Sequence, residues 1–156
     1  MREWEKVQEV PRRLRATDPV REFIRAFNDR DLDAFVAVLD PGVELHASRG
    51  LRKGIEAARV WATREPGGVQ QTIELEELYE DGTEGGGGRA VALIRRVWHW
   101  AESGEHASTD EMAWAFELRD RRVLSWRPYD DRAAAFREND FPNEAAAAAK
   151  ADRASG

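Results

Sequence analysis

His46 is the residue of this 156-residue sequence best suited to move a proton near neutral pH, because an imidazole titrates there and can serve as acid or base. Glu44 lies two residues earlier on the same side of a short strand and could orient the ring or hold a proton of its own. Two strand residues span about 7 Å, which leaves room for a water or a ligand between them. Arg95, Asp110 and Arg127 fall on a strand face that is otherwise apolar. Burying an unpaired guanidinium or carboxylate is costly, so one of two arrangements must hold. Either the ions satisfy one another and brace the sheet, or a pocket leaves one arginine free for a carboxylate, enolate or phenolate oxygen of a ligand. His99 and His106 stand apart from His46 without ligand spacing, so no metal centre is expected. The glycine run within residues 81–88 lacks the strand-to-helix setting of a phosphate cradle, and no cofactor is expected.

The elements that must position these groups read as two helices, a short strand, a helix and a four-strand meander. Asp18 and Pro19 open a first helix whose stripe is Val20, Phe23, Ile24 and Phe27. Asp31 caps a second helix with Leu32, Phe35, Val36 and Leu39, ended by Asp40-Pro41-Gly42. Val43–His46 forms a strand, 47–53 a polar loop, and Gly54 opens a third helix from Ile55 to about Thr63. Residues 70–80 form a strand at the sheet's rim, and Asp130-Asp131 starts a last helix over Ala133–Arg137. The plan is α+β: three N-terminal helices packed on one side of a curved antiparallel sheet. Residues 1–16 form an arm or helix, 17–140 the domain, and 141–156 an Ala-rich tail expected to be a frayed helix or disordered.

The heart of the meander is Ala90–Trp100, Thr109–Leu118 and Val123–Tyr129. A two-residue loop at Ser103-Gly104 opposes Leu93 to Trp114, and the Asp120-Arg121 turn then opposes Trp114 to Arg127. In that register the inner face holds Val91, Leu93, Arg95, Val97 and His99, with Asp110, Met112, Trp114 and Phe116 beside them and Arg127 and Tyr129 on the last strand. The outer face holds Ala90, Ala92, Ala113 and Ala115 with Trp98, Trp100 and Trp126. Large aromatic area among small residues predicts a two-fold homodimer through that outer face.

Composition narrows the partners. A net charge of −6 and 42% apolar residues describe a domain with a sizeable core and no basic surface for nucleic acid or an anionic membrane. No cysteine means neither disulfides nor thiol chemistry. Residues 1–16 are too charged for the apolar core of a signal peptide, and no stretch has the length of a membrane span. A cytoplasmic protein is the expectation.

The element order, with residues 39–46, Gly54-Ile55-Glu56-Ala57 and 122–132, resembles the nuclear transport factor 2-like superfamily, in particular its SnoaL-like branch. The resemblance covers roughly residues 18–138. It implies a cone-shaped α+β roll whose pocket holds a small, mostly apolar, oxygenated molecule such as a polyketide or terpenoid. Members similar to ketosteroid isomerase keep a carboxylate base, a tyrosine and a protonated aspartate where this chain has His46, Phe23 and Trp114. An epoxide-hydrolase-like site needs an arginine and two aspartates around one water; here Arg95 has only Asp110 nearby. The resemblance therefore implies cofactor-free proton transfer of the isomerase, cyclase or hydratase kind, with His46, Arg95 and Asp110 as catalytic candidates. Phe23, Glu44, Trp61, Met112, Trp114, Arg127 and Tyr129 are then the candidates for contact with substrate. The alternative is a noncatalytic small-molecule-binding or dimeric scaffold protein whose charges only brace the sheet.

Overall fold

A computed structural model describes residues 18–82, 87–139 and 141; the N-terminal arm, most of the glycine-rich loop and the Ala-rich tail lie outside the described residues. Helices α1 (Asp18–Asp29) and α2 (Leu32–Ala37) lead into strands β1 (Leu39–Ala47) and β2 (Gly50–Lys53). Helix α3 (Ile55–Ala62) and a 3-10 turn (Pro66–Gly68) follow. The chain continues as β3 (Val69–Gly82), β4 (Gly88–Trp100), β5 (His106–Arg119) and β6 (Arg122–Tyr129), and helix α4 (Arg132–Glu138) closes it. The six strands form one sheet in the order β2-β1-β6-β5-β4-β3. This is the expected α+β roll, with three N-terminal helices on one face. No described helix is long and apolar enough to cross a membrane.

Local signals account for much of the framework. Asp31 caps α2 by accepting from the Ala34 N–H at 3.2 Å, and Asp131 caps α4 by accepting from the Ala133 N–H at 3.0 Å. Gly54 opens α3 at φ 93, a left-handed conformation that a side chain would strain. Val20, Phe23, Ile24 and Phe27 bury the expected stripe of α1 against the sheet. The Asn28 amide then fixes α1 to β3, donating to the Ile73 carbonyl and accepting from the Ile73 N–H, both at 2.8 Å.

Strand β1 is longer than the sequence predicts, and it pairs with β6 in parallel, so the sheet is mixed. Asp40-Pro41-Gly42 belongs to it as an irregular stretch, tied down by the Asp40 carboxylate, which accepts from the Gly42 N–H at 2.8 Å and from Arg119 at 3.0 Å. The expected polar loop at 47–53 contains β2, which folds back on β1 through a two-residue turn at Ser48 and Arg49.

The register of the meander differs from the predicted one by a single residue in two places. Gly104 adopts φ 77 at the end of a longer connection, with the Trp100 N–H donating to the Glu105 carbonyl, and Ala107 is left unpaired between the His99–His106 and Trp98–Ser108 pairs. Trp114 therefore opposes Ala92 rather than Leu93. The Asp120-Arg121 turn is as predicted, but the register slips between Val123 and Ser125, so Trp114 opposes Pro128 and Phe116 opposes Trp126. One-residue slips exchange faces. Ala90, Ala92, Ile94, Arg96, Trp98, Trp126 and Pro128 share the helix-covered inner face with Asp110, Met112 and Trp114. Val91, Leu93, Arg95, His99, Arg127 and Tyr129 turn outward.

The outer face is covered at its centre. Val91, Leu93, Ala113 and Ala115 pack with Ala135 and Phe136 of α4 and with Phe141. The three-tryptophan patch that predicts a homodimer is thus absent: Trp98 and Trp126 face inward, and Trp100 is half exposed at the sheet's end. Arg132, 4% exposed, pins α4 to the sheet by donating to the Met112 carbonyl at 3.2 Å, to the Ile94 carbonyl at 2.9 Å and to Glu76, the bulged residue of β3.

Candidate functional site

Between α3, the β1–β2 turn and the inner face of the sheet lies a cavity of about 650 Å3, within the range of small-molecule sites. Its apolar wall is three indoles and a thioether. Trp126 stands 4.7 Å from Trp61 and 5.2 Å from Trp114 between ring centroids, the latter pair edge to face at 85°. Met112 lies beside them and, with Trp114 and Trp126, is buried from bulk solvent. Each strand contributes to this wall because β5 and β6 alternate, and the β6 bulge brings Trp126 into line with Trp114.

The indole N–H groups of Trp114 and Trp126 are buried and have no hydrogen-bond partner. A buried donor without an acceptor costs about 1–3 kcal/mol. Two of them on one wall of one cavity call for an occupant that supplies oxygen.

Trp98 differs. Its N–H donates to Asp110 Oδ2 at 3.1 Å, and the same oxygen accepts from Arg96 Nη2 at 2.8 Å and Nε at 3.2 Å. The Arg96 guanidinium carbon also lies 4.9 Å from the centroid of the Trp98 ring, a cation–π contact. Arg96 and Trp98 line the cavity, and Asp110 locks them from behind. The hydrogen bond from Arg96, then that from Trp98, holds the Asp110 carboxyl below the usual carboxylate range, against the opposing effect of burial. Asp110 is therefore an orienting carboxylate and a poor proton donor at neutral pH.

At the rim, His46 Nδ1 lies 3.3 Å from Arg127 Nη2. A guanidinium only donates, so Nδ1 must be the unprotonated nitrogen and the ring hydrogen sits on Nε2. His46 Nε2 is 3.7 Å from Glu44 Oε1, and Glu44 is also 3.6 Å from Lys53 Nζ. Ser48, Arg49, Arg64, Gln71 and Asp130 complete the rim.

Of the residues predicted from sequence, His46, Trp61, Met112 and Trp114 line the cavity. Glu44 and Arg127 flank His46 from outside it. Asp110 is on the inner face as predicted, but its ionic partner is Arg96; Arg95 points outward and pairs with Glu74 at 2.8 Å. Phe23 is fully buried in the helix–sheet core, 4.9 Å from Phe35 and 5.2 Å from Phe116, and is no part of the wall. Tyr129 packs under α4, its hydroxyl accepting from Asn139 at 3.4 Å. The slips that reverse β4 and β6 explain Arg95, Arg127 and Tyr129. The same slips hid Arg96, Trp98 and Trp126, whose best signal in the sequence is that Asp110 needs a cation directly opposite it. Among the described residues no group of three histidine, aspartate or glutamate side chains could hold a metal ion.

A family model described as a SnoaL-like domain matches residues 20–126, more than half of the chain. No curated protein matches the sequence. Among solved structures, an LEH-like epoxide hydrolase from M. tuberculosis superposes with a TM-score of 0.60 at 18% identity, covering 80% of this chain and 84% of that one. A candidate polyketide cyclase from Pseudomonas putida KT2440 gives 0.60 at 17% identity, covering 73% and 90%. An NTF2-like protein of unknown function from Burkholderia pseudomallei K96243 gives 0.59 at 23% identity, covering 78% and 95%. At these identities the likeness is one of fold.

Proposed function

We propose, for a chain that belongs to the SnoaL-like domain family, that the cavity binds a small, mostly apolar molecule bearing oxygen acceptors, of the polyketide or terpenoid kind. The observation that carries this reading is the pair of buried indole N–H groups on the cavity wall without acceptors. An apolar lining alone would suit a hydrocarbon. Two orphaned donors favour a ketone, ester or quinone, because an acceptor placed there removes a standing penalty that a hydrocarbon leaves in place. Arg96 and Trp98, held by Asp110, give the molecule a fixed polar edge to rest against.

The test is a titration followed by tryptophan fluorescence, since three of the six tryptophans form the wall. A polycyclic ketone and its parent hydrocarbon differ by one oxygen. The ketone should bind roughly 5- to 100-fold more tightly. Equal binding, or none by either, would refute the reading.

A second reading, proton-transfer catalysis of the kind that the names of the M. tuberculosis and P. putida proteins suggest, is favoured by one observation: His46 lines the cavity. The bond from Arg127 sets its role. With Nδ1 occupied, the ring meets a ligand through Nε2–H, as a donor rather than a base. Substituting His46→Gln separates the two readings. Binding should change less than about twofold, whereas a proton-transferring His46 would show a turnover loss on the order of 100- to 10,000-fold for any substrate converted.

A further inference from the structure

Resting on the binding function proposed above, we infer that the ligand is an organic monoanion, a rigid apolar body ending in a carboxylate or enolate that Arg49 and Arg64 receive at the cavity's rim. Three guanidiniums line the cavity, those of Arg49, Arg64 and Arg96, against one carboxylate, that of Asp130. Arg96 is already neutralised by Asp110. The side chains of Arg49 and Arg64 have no hydrogen-bond or ion-pair partner among the described residues. That is unusual in this chain, where 30 acidic residues outnumber 24 basic ones and Arg25, Arg95, Arg96, Arg119 and Arg132 each hold a carboxylate.

The two free arginines come from unrelated elements. Arg49 is at the tip of the β1–β2 turn, and Arg64 follows the last turn of α3. Both reach the same opening, so a positive rim sits on a protein of net charge −6. Burial orders the site from end to end: Met112, Trp114 and Trp126 at its depth, Arg64 half buried, Arg49 exposed. An amphipathic ligand therefore has one orientation, apolar body inward and anion outward, with the indole donors meeting oxygens along its length. Charge count selects the head group. Arg49 and Arg64 against Asp130 leave one net positive charge, which matches a monoanion and leaves a phosphate dianion undercompensated. A guanidinium pairs with a planar carboxylate through two parallel N–H donors.

The probes are 1-pyrenecarboxylate and its methyl ester, which share a body and differ in charge, titrated into the wild-type chain by energy transfer from tryptophan. The carboxylate should bind about tenfold more tightly at low ionic strength, given two solvent-accessible ion pairs, and the advantage should shrink as salt rises. The double variant Arg49→Gln/Arg64→Gln should lose most of that advantage and keep the affinity for the ester. Equal binding of acid and ester by the wild type overturns the anion while leaving the pocket intact. Binding of neither probe overturns both readings. A carboxylate preference that survives the double substitution overturns the assignment to Arg49 and Arg64.

Discussion

Replacing Trp126 by phenylalanine should weaken ligand binding while leaving the empty protein as stable as before or more so. The substitution keeps an aromatic ring against Trp61 and Trp114, at 4.7 and 5.2 Å, and deletes one orphaned donor. It removes about 40 Å3 of side chain, which at about 24 cal/mol per Å3 costs ~1 kcal/mol. Deleting a buried, unpaired N–H returns about 1–3 kcal/mol, the lower end applying where cavity water reaches the group. The net effect on unfolding is between zero and about 2 kcal/mol of stabilisation, a rise of up to ~6 °C in Tm for a domain of this size. Binding of an oxygenated ligand moves the other way, by the roughly 5- to 100-fold that one hydrogen bond to a buried donor is worth. Calorimetric unfolding without ligand and a titration with the ketone measure the two arms. Destabilisation beyond about 3 kcal/mol together with unchanged ketone affinity would show that Trp126 is there for packing alone.

Three further outcomes follow from the framework. Arg132→Met leaves two carbonyls and Glu76 without their donor, so urea unfolding should show a loss of about 3–5 kcal/mol; a loss under ~1 kcal/mol would mean α4 is held by Phe136 and Phe141 alone. Asp120 and Arg121 both adopt positive φ, 52 and 63, in the β5–β6 turn, where glycine is favoured at the second position, so Arg121→Gly should stabilise by about 0.5–1 kcal/mol in the same assay. The Gly42 N–H and then Arg119 hold the Asp40 carboxyl below its ordinary range, and Arg96 and Trp98 do so for Asp110. Lowered carboxylate values give stability that is present above the unfolded pKa and lost as pH falls through the folded one. The urea midpoint should therefore drop below about pH 4 and do so less steeply in Asp40→Asn.

What the sequence makes legible here is what short-range physics determines. The stripe of α1, the caps at Asp31 and Asp131, the Asp120-Arg121 turn and the inward face of β5 are each written in a few neighbouring residues. Met112, Trp114 and Asp110 were therefore found, as was Trp61 on α3. The registers of β4 and β6 depend instead on two bulges, at Ala107 and Leu124, and neither residue type marks a bulge. Ser103-Gly104 reads as a two-residue hairpin loop, whereas the chain places Gly104 last in a longer turn, because its left-handed φ is needed there. Each slip moved a strand's whole side-chain set to the other face, so Arg95 stood in for Arg96 and Arg127 for Trp126. Arg49 and Arg64 carry no periodic signal at all, being a turn tip and a helix exit that only the folded chain brings to one opening.

The central claim is that oxygen on a ligand meets the two orphaned indoles, and nitrogen–proton correlation spectra of the six tryptophan side chains test it most directly. Adding the polycyclic ketone should move the Nε1–H signals of Trp114 and Trp126 downfield, as forming a hydrogen bond requires, with Trp98 nearly still because its N–H is already given to Asp110. Assignment by Trp114→Phe and Trp126→Phe identifies the two peaks. Binding that shifts neither of them, or that shifts only Trp98 and Trp100, would contradict the account.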